Sequence, residues 1–265
     1  MPWIFKGLRD GVLTTKWPQR ADEYFDEFPS QITVIAPPAA ARSTGVAAAV
    51  ASCPTAAITV GPAVRLDRGR CILCGRCAEA APDVFIWETG SATATLGRSE
   101  LVVGAVEDTD EALAELRAAL ARRVRRLRRS VHLRHIDTGS DGSDEWEVQA
   151  LTNPVYDLHR LGIFFTASPR SADILLVTGI GTSGMVEPLR RTLEAMPAPT
   201  VVVAVGGDAI SGGLVGNGYT GGHGVAEQVE VDVWVPGSPA TPFSVLHGIL
   251  LALGRVAPAG ARAQR

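Results

Sequence analysis

Cys71, Cys74 and Cys77 stand three residues apart in "CILCGRC". Thiolates at that step are the leading part of the run C-x-x-C-x-x-C-x-x-x-C-P, whose soft sulfur donors ligate an iron–sulfur cluster. The place of the fourth cysteine holds Ala81, and Pro82 still follows it. The one remaining cysteine, Cys53, is followed by Pro54. When two such runs pair, each cluster takes three cysteines from one run and its fourth from the C-P of the other. Counting back from Cys53 by the same steps gives Ala49, Val46 and Ser43. The survivors Cys53, Cys71, Cys74 and Cys77 are therefore one complete ligand set, and Ser43, Val46, Ala49 and Ala81 are the other set, lost whole. The expectation is one 4Fe–4S cluster. Tetrahedral zinc is the alternative for four thiolates. The third cysteine at the same step and the two prolines favour iron and sulfide. Disulfides are disfavoured in a chain that reads as cytoplasmic and keeps its cysteines in the first third.

Gly179, Gly181 and Gly184 form a second constellation, G-x-G-x-x-G, between the apolar run "ADILLVTG" and a helical stretch. That is where a dinucleotide-binding loop belongs, and it supports a nicotinamide- or flavin-dependent oxidoreductase as an alternative. Two features weigh against it. The acid expected at the end of the next strand, Asp208, lies within a second glycine-rich loop, "GGDAISGG", and Pro188 falls early in the helix.

The 265 residues are 46% hydrophobic and 20% charged, with a net charge of −3. This suits a chain with packed cores and demands no nucleic acid. The most apolar stretch, "FSVLHGILLALGRV", is broken by His247 and Gly248 and falls short of the ~20 residues a bilayer needs. The start, "MPWIFKGLRDG", lacks the features of a signal peptide. A cytoplasmic chain is expected, peripheral on the cytoplasmic face of the membrane through partner subunits. Residues 107–130 read as a basic amphipathic linker helix. Leu113, Leu116, Leu120, Val124, Leu127 and Val131 recur on one face. Glu107, Asp108, Asp110 and Glu111 precede Arg122, Arg123, Arg125, Arg126, Arg128 and Arg129, as the helix dipole favours. The arginines suit a solvated linker or a face for a partner or anionic headgroups. Beyond it, "DILLVTG", "TVVVAVG" and "VDVWVPG" alternate with helical segments, the pattern of a parallel α/β sheet.

"CPTAAITV" and "CILCGRCAEAAP", with "LTTKWPQR" before them, resemble the ferredoxin-like subunits of membrane-bound hydrogenases and complex I. The resemblance implies a ferredoxin-like α+β domain over 31–106, with residues 1–30 an extension that wraps a neighbour. The strings "HIDTGSDGSDEWEVQALTNPVYDLHRLGI", "ASPRSADILLVTGIGTSGMVEPLRRTLEAMPAPTVVVAVGGDAISGG" and "VDVWVPGSPATP" resemble the small subunit of group-4 energy-converting nickel–iron hydrogenases. They also resemble the homologous B-type (20 kDa) subunit of complex I. This implies a flavodoxin-like α/β domain with a parallel sheet over 131–265. In that family four cysteines hold a 4Fe–4S cluster beside the active site of the large subunit. Here the matching positions are Asp141, Asp144, Asp208 and Ser238. Oxygen in place of sulfur four times over predicts no cluster there. A hard cation such as Mg²⁺ or Ca²⁺ could fill an oxygen cage. Otherwise the acids bond to backbone amides of the glycine loops, or to an arginine of a partner. The resemblance implies an iron–sulfur subunit of a formate hydrogenlyase-like membrane complex, bound to a large hydrogenase-like subunit and to membrane-arm subunits, with no catalytic residues of its own. The rival reading is a purely structural scaffold subunit of an ion-translocating complex.

Overall fold

The computed structural model describes residues 2–35, 43–104, 110–125, 130–216 and 218–259. The chain opens with α1 (Trp3–Asp10), which buries none of its side chains, and α2 (Glu23–Glu27), capped by the Asp22 carboxylate at the amides of Tyr24 and Phe25. β1 (Pro29–Val34), α3 (Thr44–Ser52), β2 (Ile58–Val60), β3 (Val64–Asp67), α4 (Arg76–Ala80), β4 (Phe85–Thr89) and β5 (Val102–Val103) complete the first half. β1 pairs antiparallel with β4, and β2, β3 and β5 form a second antiparallel sheet. Ile32, Val46, Ala49, Leu66, Val84 and Phe85 close a core between these strands and the two helices. α3 and α4 pack without a gap: a Cβ on Gly45 would lie 2.8 Å from the Ala80 carbonyl oxygen and 3.3 Å from the Ala81 Cβ.

The second half begins with α5 (Asp110–Val124) and continues through β6 (Val131–Asp137), α6 (Ser143–Ala150), β7 (Ile163–Phe165), β8 (Ile174–Thr178), α7 (Val186–Ala195), β9 (Val201–Val205), α8 (Gly206–Ser211), β10 (Val233–Val235) and α9 (Pro242–Ala252). Five strands form one parallel sheet in the order β10-β9-β8-β6-β7. Both faces are covered, as parallel strands require: β8 and β9 are buried at every residue. The most apolar stretch of the sequence is α9, and it too is buried throughout. Among the described residues no helix is long and apolar enough to cross a membrane.

The linker helix is shorter than its periodicity predicts. Val131 does not lie on its face but opens β6, fully buried. "VHLRHID" alternates buried and more open side chains with the period of a strand, and Val131 falls on a helical step from Val124 by coincidence. Leu120 and Val124 dock α5 on the main core, and Leu116 is exposed. Arg123 pairs with Asp232 and donates to the Thr200 carbonyl, whereas Arg122 and Arg125 are exposed. Glu107, Asp108, Arg126, Leu127, Arg128 and Arg129 lie outside the described residues, as do the side chains of Asp110, Glu111 and Leu113.

The two halves share a core. Trp17 stacks on Phe25 at 4.3 Å, and Phe25 meets Phe243 of α9 edge-on at 5.5 Å. Thr95 forms an antiparallel bridge with Trp234 at the β10 edge, with N–H···O bonds of 3.0 and 2.9 Å. His247 of α9 fixes this segment: its Nδ1 accepts from the Ala94 amide at 3.2 Å, which leaves the proton on Nε2 to donate to the Ala257 carbonyl at 2.9 Å. The close helix contact in the first half is directly testable. Gly45→Val should lower stability by about 1–3 kcal/mol through overpacking, read as a lower urea midpoint. Gly7→Ala, where nothing lies within 4 Å, should leave that midpoint unchanged.

Candidate metal centre

Three backbone segments carry the four cysteines. Cys53 ends α3, where its amide bonds to the Val50 carbonyl at 3.3 Å. Cys71 and Cys74 sit in the loop between β3 and α4, and Cys77 lies in the first turn of α4. Gly75, at φ +76°, caps α4, and Leu73 at φ +55° makes a second left-handed residue in the same loop. Two left-handed residues so close together curl the loop back on itself and turn its sulfurs to one side. All four cysteines line one hollow, walled by Ile32, Ile58 and Leu66. Cys71 and Cys77 are buried, Cys53 is half-buried and Cys74 is exposed. Backbone amides point at the sulfurs: Ala57 donates to Cys53 Sγ at 3.3 Å and Leu73 to Cys71 Sγ at 3.4 Å.

Burial pushes the Cys71 thiol up to about 12, and the neighbouring sulfurs of Cys77, Cys74 and Cys53 add to the shift. Burial raises Cys77 as well. Such thiols stay protonated on their own and ionise when a metal shares the space. Soft donors, N–H groups aimed at sulfur and an apolar wall fit an iron–sulfur cluster. Among the described residues no three His, Cys, Asp or Glu side chains close on a single ion position.

The positions that the spacing assigns to a second ligand run hold one helix cap and three core side chains. Ser43 caps α3 by accepting from the Val46 amide at 3.2 Å. Val46, Ala49 and Ala81 are buried in the core of the first half.

Asp141, Asp144, Asp208 and Ser238 also come together, and the sheet topology explains why. They follow the carboxyl ends of β6, β9 and β10, where loops of a parallel sheet converge. Asp208 stands on α8, directly after β9, and not in the glycine-rich loop expected from "GGDAISGG". Gly206 starts that helix at φ +89°, and a Cβ there would collide with the Asp144 carboxylate. Asp144 is 3% exposed, and its Oδ1 accepts from the Ala240 amide at 2.9 Å. Asp141 accepts from the Ser143 amide at 2.9 Å and the Ser143 hydroxyl at 2.6 Å. Those hydrogen bonds hold Asp141 below the usual carboxylate range. Asp144 and Asp141 are thus each tied to a backbone amide, those of Ala240 and Ser143. Sequence reasoning missed Glu145, which accepts from Ser140 Oγ at 2.8 Å and whose charge reaches both Asp144 and Asp208. Its signal was its place in the first turn of α6, where acids favour the helix dipole.

The glycines of G-x-G-x-x-G do follow a strand, but their loop is closed by protein. The amides of Ile180, Gly181, Thr182 and Ser183 donate to the Gly139 carbonyl, Thr138 Oγ1, the Thr138 carbonyl and the Thr220 carbonyl at 2.8 to 3.1 Å. Gln228 Nε2 donates to the Gly181 carbonyl at 2.6 Å. No amide of these four is left to cradle a pyrophosphate.

Burial pushes Asp144 up to about 8, with the charges of Asp208, Glu145 and Asp141 adding to it. Burial also raises Asp208. The folded state thus keeps a proton that the unfolded chain releases near 3.8. Between these values folding takes up a proton, so stability falls as pH rises, by up to about 1.4 kcal/mol per pH unit. Asp144→Asn keeps the acceptor for Ala240 and removes that proton. Urea unfolding from pH 4 to 8 should show a flatter slope and a more stable variant at pH 8. An unchanged slope would assign the effect to other groups.

Residues 142–252 match the family described as "NADH ubiquinone oxidoreductase, 20 Kd subunit", and residues 64–120 match a "4Fe-4S single cluster domain". The chain is 37% identical over 145 residues to formate hydrogenlyase subunit 7 of Escherichia coli, covering 55% of this chain and 56% of that protein. It thus spans little more than half the length of this relative. An uncharacterized protein of Methanocaldococcus jannaschii is 39% identical, over 49% of this chain and 85% of its own length. A probable membrane-bound hydrogenase subunit of Pyrococcus furiosus is 36% identical, over 49% of this chain and 77% of its own. Among solved structures, a chain of the membrane-bound sulfane sulfur reductase, an archaeal respiratory membrane complex, is 26% identical. It aligns over 53% of this chain and 81% of its own with a TM-score of 0.43. The sequence identity and coverage of these relatives, with the two family matches, show that the chain belongs to the family of 20 kDa subunits of nickel–iron hydrogenases and complex I, joined to a ferredoxin-like iron–sulfur domain.

Proposed function

We propose that this chain is the iron–sulfur subunit of a membrane-bound, hydrogenase-like or complex I-like oxidoreductase. It holds one 4Fe–4S cluster on Cys53, Cys71, Cys74 and Cys77, and none at Asp141, Asp144, Asp208 and Ser238. The observation that carries this is the convergence of four thiols on one hollow. Bound there, a cluster supplies a one-electron carrier. The chain's own residues do the rest: amides of Ala57 and Leu73 stabilise thiolate charge, and Ile32, Ile58 and Leu66 keep water from the buried side. Cys74 leaves that side of the hollow open to a partner.

The domain division follows the chemistry: an extension over 1–30, a ferredoxin-like domain over 31–106, a linker helix over 107–130 and the 20 kDa-subunit domain over 131–265. The partners are a large hydrogenase-like subunit and membrane-arm subunits, which hold the chain at the cytoplasmic face. The names of the relatives, a formate hydrogenlyase subunit and a probable membrane-bound hydrogenase subunit, support this reading.

A second reading makes the chain a scaffold whose cluster only stabilises the fold. The oxygen donors at the second site favour it, because they remove soft ligands beside the large subunit. Anaerobic reconstitution of the full chain tests the cluster assignment. Wild type should take up about four iron and four sulfide, and Cys53→Ser should lose most of them although it lies outside the "CILCGRC" run. Zinc uptake, or twice the iron, would overturn it. Within the purified complex, Cys74→Ser that assembles but no longer turns over identifies a carrier. Continued turnover without the cluster identifies the scaffold.

A further inference from the structure

Behind Cys71 lies a second, small hollow, where the two halves of the chain meet. Gln31, Arg68 and Leu73 line it from the first half, and Pro236 and Gly237 from the loop after β10. Cys71 belongs to both hollows. Arg68 is the one ionised side chain on this second wall. It is 14% exposed, its Nε donates to the Ile32 carbonyl at 3.1 Å, and its Nη2 meets Glu88 Oε2 at 2.5 Å. The counter-ion is the far more open partner, at 49%. Asp67 takes a two-pronged pair from Arg98 at 2.9 and 2.6 Å, and Arg70 and Arg76 of the same stretch stand exposed, where solvent and salt screen them.

A buried guanidinium carries a heavy desolvation cost, and an apolar side chain of similar length would fill the same space without it. Its placement has an electrostatic consequence for the neighbouring sulfur. Reduction of a four-thiolate iron–sulfur centre adds one negative charge. A fixed cation in a poorly solvated wall favours that charge far more than it would in water. Arginine stays ionised under such burial where lysine is more easily neutralised.

We infer that Arg68 is a positioning residue for redox chemistry: its guanidinium, held behind Cys71 by Ile32 and Glu88, raises the reduction potential of the cluster. The inference rests on the one-cluster reading above. A purely structural arginine would tie β1 to β4 through the same two bonds and leave the potential alone.

The test is a reductive titration followed by EPR on the full chain reconstituted with iron and sulfide. Arg68→Gln should shift the midpoint to lower potential, with iron and sulfide content unchanged. Arg68→Lys should fall between wild type and Arg68→Gln, because a buried lysine is more easily neutralised. Glu88→Gln, at the exposed partner, should shift the midpoint the opposite way, to higher potential, because the cation loses its counter-ion. An Arg68→Gln protein with an intact cluster and an unmoved midpoint would overturn the inference, as would shifts of the same sign in the Gln variants. If Arg68→Gln fails to hold a cluster, Glu88→Gln decides. An upward shift supports the role, and an unmoved or lowered midpoint ends it. A wild-type chain that takes up no iron would remove the cluster reading itself, a failure separable from an intact cluster indifferent to Arg68.

Discussion

Four thiols can share an apolar hollow while they are neutral, or ionise there if a metal takes up their charge. The geometry of the first half follows from that condition. α3 ends where Cys53 is needed, a loop with left-handed Leu73 and Gly75 turns Cys71 and Cys74 inward, and α4 begins early enough to present Cys77. Burial holds Cys71 near 12 and raises Cys77, so these two favour the thiol unless a metal takes up their charge. The amides of Ala57 and Leu73 are already aimed at sulfur. The site is preorganised for thiolates while storing thiols.

The residues at the two other sets of positions sit in unlike surroundings. Val46, Ala49 and Ala81 sit in the core where α3 packs on α4, with no room for even a methyl group at Gly45, and Ser43 caps α3 beside them. Apolar side chains and one helix cap fill that space. Asp141, Asp144, Asp208 and Ser238 sit at the carboxyl edge of a parallel sheet, among glycine-rich loops with amides to satisfy. Polar side chains suit that place. Asp144 solves there the problem that Cys71 solves in the first half: a buried acid, raised to about 8, remains neutral through most of the physiological range.

Much of this was legible in the sequence because it depends on spacing. The cysteine pairing follows from counting, and β8, β9 and β10 from continuous apolar runs. What failed depended on packing. Val131 satisfied a helical period and a strand period at once, and only its neighbours β7 and β8 decide between them. The glycines around Asp208 read as a loop, glycine being a poor helix former, yet α8 begins at Gly206 where no Cβ fits beside Asp144. The shared core could not be read at all: Trp17, Phe25, Ala94 and Phe243 are far apart in sequence, with no periodicity to link them.

The glycine loop after β8 shows where a motif stops being evidence. Its strand, its glycines and its helix stand in the order a pyrophosphate site requires. Such a site works only if the loop's amides are left for the ligand, and backbone donors inside a fold are rarely left unpaired. Here Thr138, Gly139 and Thr220 accept the amides from Ile180 to Ser183, and Gly224 lies so close to Gly181 that a Cβ there would meet its carbonyl at 2.9 Å. The glycines are needed for backbone approaching backbone. The same residue type admits a phosphate in one fold and a neighbouring loop in another, and only the accounting of donors separates the two.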